Sequence, residues 1–205
     1  MSITNGYCTL AELRAQVAIT DAEDTTDDSV LEQRIEAVSR AIDYLTGRRF
    51  YTTASDETRY YTARHMTKFK CPDDIVSITT LTTDDDGDRV YETTWTTNDY
   101  DLLPFNAALD SKPYTEIEIT PNGTYSFPTT RKGVKTVGKF GYATTPPSIA
   151  STCVLAAQRL FKRRDVPFGV LSVGSLGQIA HILERDPDVM LALSLFMRDI
   201  GPGVV

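Results

Sequence analysis

The sequence has few of the residues on which enzymatic and metal chemistry usually depends. Its 205 residues include two histidines, His65 and His181, and three cysteines, Cys8, Cys71 and Cys153. No zinc-type spacing joins these residues, and three widely separated cysteines predict no disulfide framework. A phosphate-binding glycine loop and a glycine-flanked nucleophilic serine are also missing from the sequence. We therefore expect no catalytic residue, no cofactor, no metal site and no enzymatic activity.

Long hydrophobic runs are missing as well. No run reaches the roughly 18 apolar residues that would predict a membrane span. The amino terminus lacks the basic stretch and apolar core of a signal peptide. Apolar residues nevertheless make up 41% of the chain, which is enough for one sizeable core, or for a core and a smaller lobe. We expect a soluble protein that is made in the cytoplasm and makes no membrane contact.

The chain also has a deficit of positive charge. Its net charge of -7 argues against a general nucleic-acid binder, because such proteins neutralise phosphates with lysine and arginine. The charge is uneven along the chain. Residues 146–205 contain six Lys and Arg and five Asp and Glu, a net of +1, so the first 145 residues carry -8. Neighbouring proteins could orient a chain whose two parts differ in charge in this way.

Two helices are predicted before residue 50. Thr9 and Glu12 form a capping box, which predicts a short helix to about Val17 that buries Leu10, Leu13 and Val17. An acidic loop at residues 21–28 then precedes a longer helix, whose amino end favours carboxylates. Gly47 ends this second helix. Its apolar face consists of Leu31, Ile35, Val38, Ile42 and Leu45, spaced three or four residues apart.

The middle of the chain, residues 51–145, changes to short alternating segments that are rich in threonine and aromatic residues. Strands are predicted near residues 58–62, 66–71, 75–83, 89–95, 114–120 and 133–142. Turns are predicted at Pro72 to Asp74, at Gly87 and at residues 121–123. In the last strand, Val134, Thr136, Phe140 and Tyr142 share one face. The pattern indicates an antiparallel sheet or small barrel inserted between helices.

An aspartate cluster, Asp84, Asp85, Asp86 and Asp88, invites comparison with a calcium loop. Its glycine falls at the fourth position of such a loop instead of the sixth, and no glutamate follows at the twelfth. We interpret the cluster as the polar tip of a hairpin.

A third helix is predicted after Pro146, with Ser148 as its cap. Its inward residues would be Ile149, Cys153, Val154, Ala157, Leu160 and Phe161. Basic residues follow two of the predicted helices, Arg48 and Arg49 after the second and Lys162, Arg163 and Arg164 at the end of the third. Cations stabilise the carboxyl ends of helices. Solvated arginines and a contact with DNA or a neighbouring protein both stay open.

The last part of the chain is apolar, and its first segment shows no regular periodicity of apolar residues. Residues 167–183 contain glycines and follow neither the helix nor the strand period, and exposed apolar segments of this kind usually mark contact surfaces. A final helix is predicted from Asp186 and Pro187. Its apolar residues, Val189, Leu191, Leu193, Leu195, Phe196 and Met197, cover more than one face. We expect a partner to cover part of both segments.

These elements predict an α+β fold: a small helical bundle from residues 1–50 and 146–205, with an antiparallel β domain of residues 51–145 inserted between its halves. Three stretches resemble the head-to-tail connector proteins of tailed bacteriophages, also called adaptor or head-completion proteins. The stretches are Tyr7 to Tyr51, Pro146 to Val170, and Asp186 to Leu193. They cover 78 of the 205 residues, in the order that the family has.

The resemblance implies a virion protein of the neck. Its copies would form a ring, typically of twelve, that lies beneath the portal protein, meets a tail-side neck or stopper protein and extends the channel through which DNA passes. The carboxyl-terminal region of such proteins commonly engages the portal. By position in this sequence, the implied assembly surface comprises Pro187, Val189, Leu191, Leu193 and Phe196, together with Gly169, Val170 and Leu171.

A second hypothesis from a different class is a cytosolic module that binds a carbohydrate or protein ligand with its β domain. Its aromatic candidates are Tyr60, Tyr61, Trp95 and Tyr100.

Overall fold

The structure is a computed structural model that describes residues 3–19, 21, 23–121, 123–163 and 176–198. These residues form five helices and a six-stranded antiparallel sheet, so the predicted α+β class is confirmed. The chain divides into two compact units. A helical unit comprises Met1–Phe50 and Thr145–Gly203, and a β unit comprises Tyr51–Thr144. None of the helices in the described ranges is long and apolar enough to cross a membrane.

The helical unit contains α1 (Leu10–Gln16), α2 (Asp28–Thr46), α3 (Pro147–Lys162), α4 (Leu176–Glu184) and α5 (Pro187–Ser194). The predicted capping box is present on α1, where Glu12 N donates to Thr9 Oγ1 at 3.2 Å and Thr9 N donates to Glu12 Oε2 at 2.7 Å. This helix is too short to bury all three predicted residues. Leu13 alone of them is buried.

The long helix α2 lies at the centre of the unit and contacts the other four helices. Its predicted inward residues Leu31, Ile35, Val38 and Ile42 are fully buried. Leu45 is half-buried because Thr46 takes the inward position in the last turn. Gly47 ends the helix with a φ of 65°, a left-handed conformation that glycine adopts without steric cost.

Helix α3 runs antiparallel to α2. Thr145 Oγ1, just before α3, donates to Phe50 O at 2.8 Å, whereas Gln158 Nε2, near its end, donates to Gln16 O at 2.8 Å. The expected Ser148 cap is wrong. Pro147 already occupies the first helical turn, so the residue in the cap position is Pro146 and Ser148 lies inside the helix.

Helix α4 corrects the expectation that residues 167–183 are irregular throughout. Residues 176–184 form a helix that buries Ile179, Ala180 and Leu183. The sequence signal is weak because Gly177 lowers the helix propensity. Packing on α2 and α5 supplies the stabilisation that the propensity lacks.

The β unit contains β1 (Glu57–Tyr61), β2 (Lys68–Thr83), β3 (Thr93–Trp95), β4 (Tyr100–Leu103), β5 (Tyr114–Ile119) and β6 (Val134–Phe140). Their order in the sheet is β1-β6-β2-β5-β4, and β3 pairs with β2 off this path. The strands β1 and β4 are therefore the two ends of the sheet. Val134, Thr136, Phe140 and Tyr142 are buried, as predicted for the inner face.

Two predictions for the strands are wrong. The segment Pro72 to Asp74 is not a turn, because β2 continues through it. The register with β5 shifts between Lys70 and Ile75, and the ladder with β6, on the other side of β2, begins at Ile75. Proline has no N–H to donate, so a gap in the ladder is where a strand tolerates it. The predicted strand at residues 89–95 is reduced to β3, and the short β4 was not predicted.

Candidate assembly surface

Helix α5 is fixed to the rest of the helical unit by a charged cap. Asp186 Oδ1 accepts hydrogen bonds from Asp188 N at 3.2 Å and from Val189 N at 3.5 Å. The guanidinium of Arg159, on α3, binds Asp186, and its Nη2 lies 2.6 Å from Asp188 Oδ2. The bond from Arg159 holds the pKa of Asp186 below its ordinary value. This ion pair attaches the start of α5 to α3.

The two faces of α5 differ sharply in exposure. Val189 and Leu193 are fully buried within the helical unit, so no partner reaches them while the unit is folded. Leu191 is 76% exposed and Leu195, just after the helix, is 85% exposed. Pro187 is exposed as well. Of the predicted assembly residues on α5, only Pro187 and Leu191 are therefore accessible to a partner. The exposed Leu195, just after the helix, adds to this surface.

The segment after α5 is anchored to the end of α2. Phe196 packs edge-on against Phe50 with 5.5 Å between ring centroids, and Arg198 N donates to Thr46 O at 3.0 Å. Phe50 in turn contacts the ring of Tyr7 at 5.7 Å. This anchoring leaves Leu195 and Met197 at the surface on either side of the half-buried Phe196. We call Leu191, Leu195 and Met197 the terminal apolar patch.

The tyrosine of this anchor is itself fixed by polar groups. Tyr7 OH donates to the carboxylate of Asp43 and accepts a hydrogen bond from Phe50 N at 2.9 Å. Burial, together with the bond to Asp43, raises the pKa of Tyr7, and burial also raises the pKa of Asp43. Tyr7 therefore stays neutral and donates its proton to this bond.

The basic residues that the sequence singled out lie in two places. Arg49 is exposed and Arg48 half-buried just after α2. Lys162 and Arg163 are exposed at the end of α3. Because α2 and α3 are antiparallel and α3 has 16 residues, roughly 24 Å of helix separates the two groups. They do not form one basic site. Arg164, Gly169, Val170 and Leu171 lie outside the described residues.

The aspartate cluster of the β2–β3 loop caps its own backbone. Asp84 accepts hydrogen bonds from Gly87 N at 2.7 Å and Arg89 N at 3.0 Å. Asp86 accepts one from Asp88 N at 3.2 Å, and Asp88 accepts one from Val90 N at 2.7 Å. Carboxylate oxygens of Asp84, Asp86 and Asp88 lie within 4.8 Å of one another. The loop geometry accounts for this cluster without a ligand.

The aromatic residues of the ligand-binding hypothesis are mostly core residues. Tyr61, Trp95 and Tyr100 are 5%, 4% and 8% exposed. Trp95 stacks on Phe127 with 4.5 Å between ring centroids. Tyr60 is exposed and lies beside Tyr91. A platform of four aromatic rings is therefore not available at the surface, because three of the rings fill the hydrophobic core.

A salt-dependent and pH-dependent contribution to stability is expected from Asp186. Its folded pKa is lowered, so the carboxylate stabilises the helical unit fully above its ordinary value of 3.8, and the contribution is lost as the pH falls through the folded value. The variant Asp186→Asn keeps a capping oxygen and loses the charge, and we expect it to cost up to about 1 kcal/mol at neutral pH. Denaturant unfolding of both proteins across the acid range measures the difference. A difference that persists in strong acid would contradict this assignment.

The fold of this chain also occurs in proteins of known structure. No protein-family model matches the chain, and no curated protein matches it. The chain is similar to a chain in the neck of an empty gene transfer agent (GTA) particle computed with C6 symmetry, with a TM-score of 0.59. It is also similar to chains in the virion of the native GTA particle, with a TM-score of 0.57, and in the neck of the native particle computed with C12 symmetry, with a TM-score of 0.56.

Each of these likenesses extends over both units. The sequence identity is 17% in all three, and the superposition covers 99% of this chain and 96% of the other. The chain therefore shares its whole α+β fold, including the β unit between the two helical segments, with a protein found in these particles.

Proposed function

We propose that this chain is a structural protein of the neck of a phage-like particle, a head-to-tail connector whose copies form a ring beneath the portal and join the capsid to the tail. The proposal is supported chiefly by the extent of the structural likeness. The superposition covers 99% of this chain and 96% of the chain in the neck of the empty GTA particle. A fold shared over both units, at matching length, supports a shared architectural role more strongly than a single matching domain.

The proposed partners are further copies of the chain, the portal protein and a tail-side neck or stopper protein. A ring of twelve agrees with the C12 symmetry used for the neck of the similar native particle. DNA would pass through the ring without sequence-specific binding. The net charge of -7 supports passage, because a mainly basic lining would hold phosphates.

The portal-docking surface in this proposal is the terminal apolar patch. Leucine side chains that are 76% and 85% exposed gain about 1.5–3 kcal/mol each when a partner buries them. Contacts of that size serve as anchors within a standard interface, whose total affinity also carries the cost of ordering. Helix α5 is already anchored by the buried Val189 and Leu193 and by the pair with Arg159, so its ordering adds little to that cost.

The proposal is tested with the double variant Leu191→Asp and Leu195→Asp. Both side chains are exposed, so the helical unit is expected to fold normally, whereas deletion of residues 186–205 would also remove the buried Val189 and Leu193. We expect binding to the portal protein of the same particle to fall at least about a hundredfold, because two carboxylates would be desolvated in the contact. Co-sedimentation with portals and negative-stain images of the complexes provide the measurement.

A matched control uses the same change elsewhere. Met66→Asp places a carboxylate at a residue that is 60% exposed in the β unit, and we expect it to bind portals like the wild type. Portal binding that survives the double leucine variant removes the docking role of the patch. If the wild-type chain forms no ring on portals, the connector function itself is wrong.

A further inference from the structure

Two of the three cysteines meet in the interior of the helical unit. Cys8 precedes α1 and Cys153 lies on α3, 145 residues further along the chain, and both carry free thiols. Their sulfur atoms are 3.4 Å apart. Cys153 is 0% exposed, whereas Cys8 is 6% exposed and is the one that reaches the surface. The spacing of the cysteines in the sequence could not reveal this pair, because only folding brings the amino-terminal segment onto α3.

The two thiols belong to a chain of hydrogen bonds that ends on α2. Ser39 Oγ donates to Ile35 O at 2.7 Å and accepts a hydrogen bond from Tyr7 N at 3.0 Å. Because the single hydroxyl hydrogen of Ser39 is directed at Ile35, Ser39 accepts from the thiol of Cys153, 3.5 Å away. Cys153 Sγ in turn accepts from the thiol of Cys8. Loss of both thiol hydrogens would leave Ser39 bonded to Tyr7 and Ile35, so no buried donor would lose its acceptor.

The backbone around Cys8 holds its sulfur close to that of Cys153. On one side, Arg40 of α2 donates from Nη2 to Asn5 O at 2.8 Å. On the other side, Thr9 caps α1 directly after Cys8. A disulfide requires a distance of about 2.05 Å between the sulfur atoms, so the two sulfurs must approach by roughly 1.4 Å. Rotation of the side chains and a small shift of the segment before α1, which is neither helix nor strand, supply such a displacement.

We propose that Cys8 and Cys153 are an oxidative modification site, at which hydrogen peroxide converts the two thiols into a disulfide that covalently joins the two halves of the helical unit. These halves, Met1–Phe50 and Thr145–Gly203, are separated in the sequence by the β unit. The new bond would link residues 145 positions apart. A cross-link over a loop of this length stabilises a fold mainly by restricting the unfolded chain.

The reaction balances with the peroxide as the oxidant. The O–O bond of the peroxide breaks as one oxygen is transferred to Cys8 Sγ, which gives a sulfenic acid and one molecule of water. Cys153 Sγ then loses its proton and attacks Cys8 Sγ, so that the S–S bond forms and the S–O bond breaks. The leaving oxygen takes up that proton and departs as a second water. The two sulfurs are each oxidised by one electron, and the peroxide is reduced to water.

The reaction is slow in the closed fold. The hydrogen bond to Cys153, together with burial, raises the pKa of Cys8, and the thiolate is the form that reacts with peroxide. Oxidation therefore requires local opening of the amino-terminal segment, and chain termini open at a small cost in free energy. A reductant has the same restricted access to the product. We expect a disulfide that forms slowly and then persists.

The test treats the reduced, full-length protein with hydrogen peroxide under native conditions. We expect the intact mass to fall by two hydrogen atoms, a digest to contain a Cys8–Cys153 cross-linked peptide, and a dithiol reductant to restore both thiols. Cys8→Ser and Cys153→Ser should each abolish the cross-link. Cys71→Ser is the matched control, because it also replaces a buried cysteine and should leave the cross-link intact.

The cross-link should also stabilise the helical unit. We expect the equilibrium constant for unfolding to fall at least about thirtyfold in the oxidised chain, as measured by circular dichroism in denaturant. Equal constants in the oxidised and reduced chains would overturn the proposed joining of the two halves.

The peptide map of the wild type decides the pairing even where a serine variant fails to fold. A Cys8–Cys153 peptide supports the site. A cross-link to Cys71, sulfinic acid on Cys8 or Cys153 without a cross-link, or thiols that stay reduced while the urea-unfolded chain is oxidised overturns it. The reaction needs only this chain and the peroxide, so its failure leaves the connector function to be judged by portal binding.

Discussion

Replacing Phe50 with alanine is expected to destabilise the helical unit by about 3–5 kcal/mol, the range for removing a fully buried aromatic side chain. The Phe50 ring is 0% exposed and lies between the rings of Tyr7 and Phe196, both of which meet it edge-on. Its removal would leave a cavity where the amino-terminal segment, the end of α2 and the segment after α5 converge. Cavity formation adds to the lost burial because the surrounding helices relax only partly.

The measurement is denaturant unfolding followed by far-ultraviolet circular dichroism, which reports the helices. Tyr44→Ala is the matched control, because Tyr44 is an aromatic residue of α2 that is 69% exposed. Its truncation should change the stability by no more than about 0.5 kcal/mol. Similar losses in the two variants would show that Phe50 is not a packing centre of the helical unit.

A second consequence of the Phe50 variant concerns the terminal apolar patch. Phe196 lies between Leu195 and Met197 and is anchored on Phe50. Without that anchor, the two exposed side chains lose their fixed position, and the ordering cost of docking rises. The connector proposal thus depends on a core residue that contacts no partner.

The sequence predicts secondary structure best where local signals agree with the packing of the fold. The capping box at Thr9 and the leucine and isoleucine spacing of α2 identify their helices without knowledge of the fold. The end of α2 at Gly47 was predicted for the same reason. In contrast, α4 and β4 depend on neighbours that are distant in sequence: α4 packs on α2, and β4 exists because β5 pairs with it.

The candidate site was predictable only in part for a related physical reason. A helix with apolar residues on more than one face can bury either face, and periodicity does not choose between Leu191 and Leu193. The choice depends on packing with residues that are distant in sequence, as the pair between Arg159 and Asp186, 27 residues apart, illustrates. The juxtaposition of Asp101 and Glu118 could not be predicted from local signals either, because these residues become neighbours only when β4 pairs with β5.

The second large effect is expected from Gly138→Ala in β6. A Cβ at this position would lie 2.1 Å from Ser77 O and 2.9 Å from Ile78 Cα, both of which are backbone atoms of β2. The ladder between β2 and β6 shifts register on either side of this point, between Ile75 and Ser77 and between Ile78 and Thr80. Glycine is required because the two backbones approach closely there.

We expect Gly138→Ala to destabilise the β unit by about 3 kcal/mol, the upper end of the usual cost of overpacking, because strands and not a flexible side chain must move. Trp95, the single tryptophan, lies in the β-unit core and reports its unfolding by fluorescence. Gly177→Ala is the matched control. A Cβ there meets nothing within 4 Å, and alanine favours helix α4 by up to about 1 kcal/mol. If Gly138→Ala is as stable as the wild type, the close approach of β2 and β6 at this point is wrong.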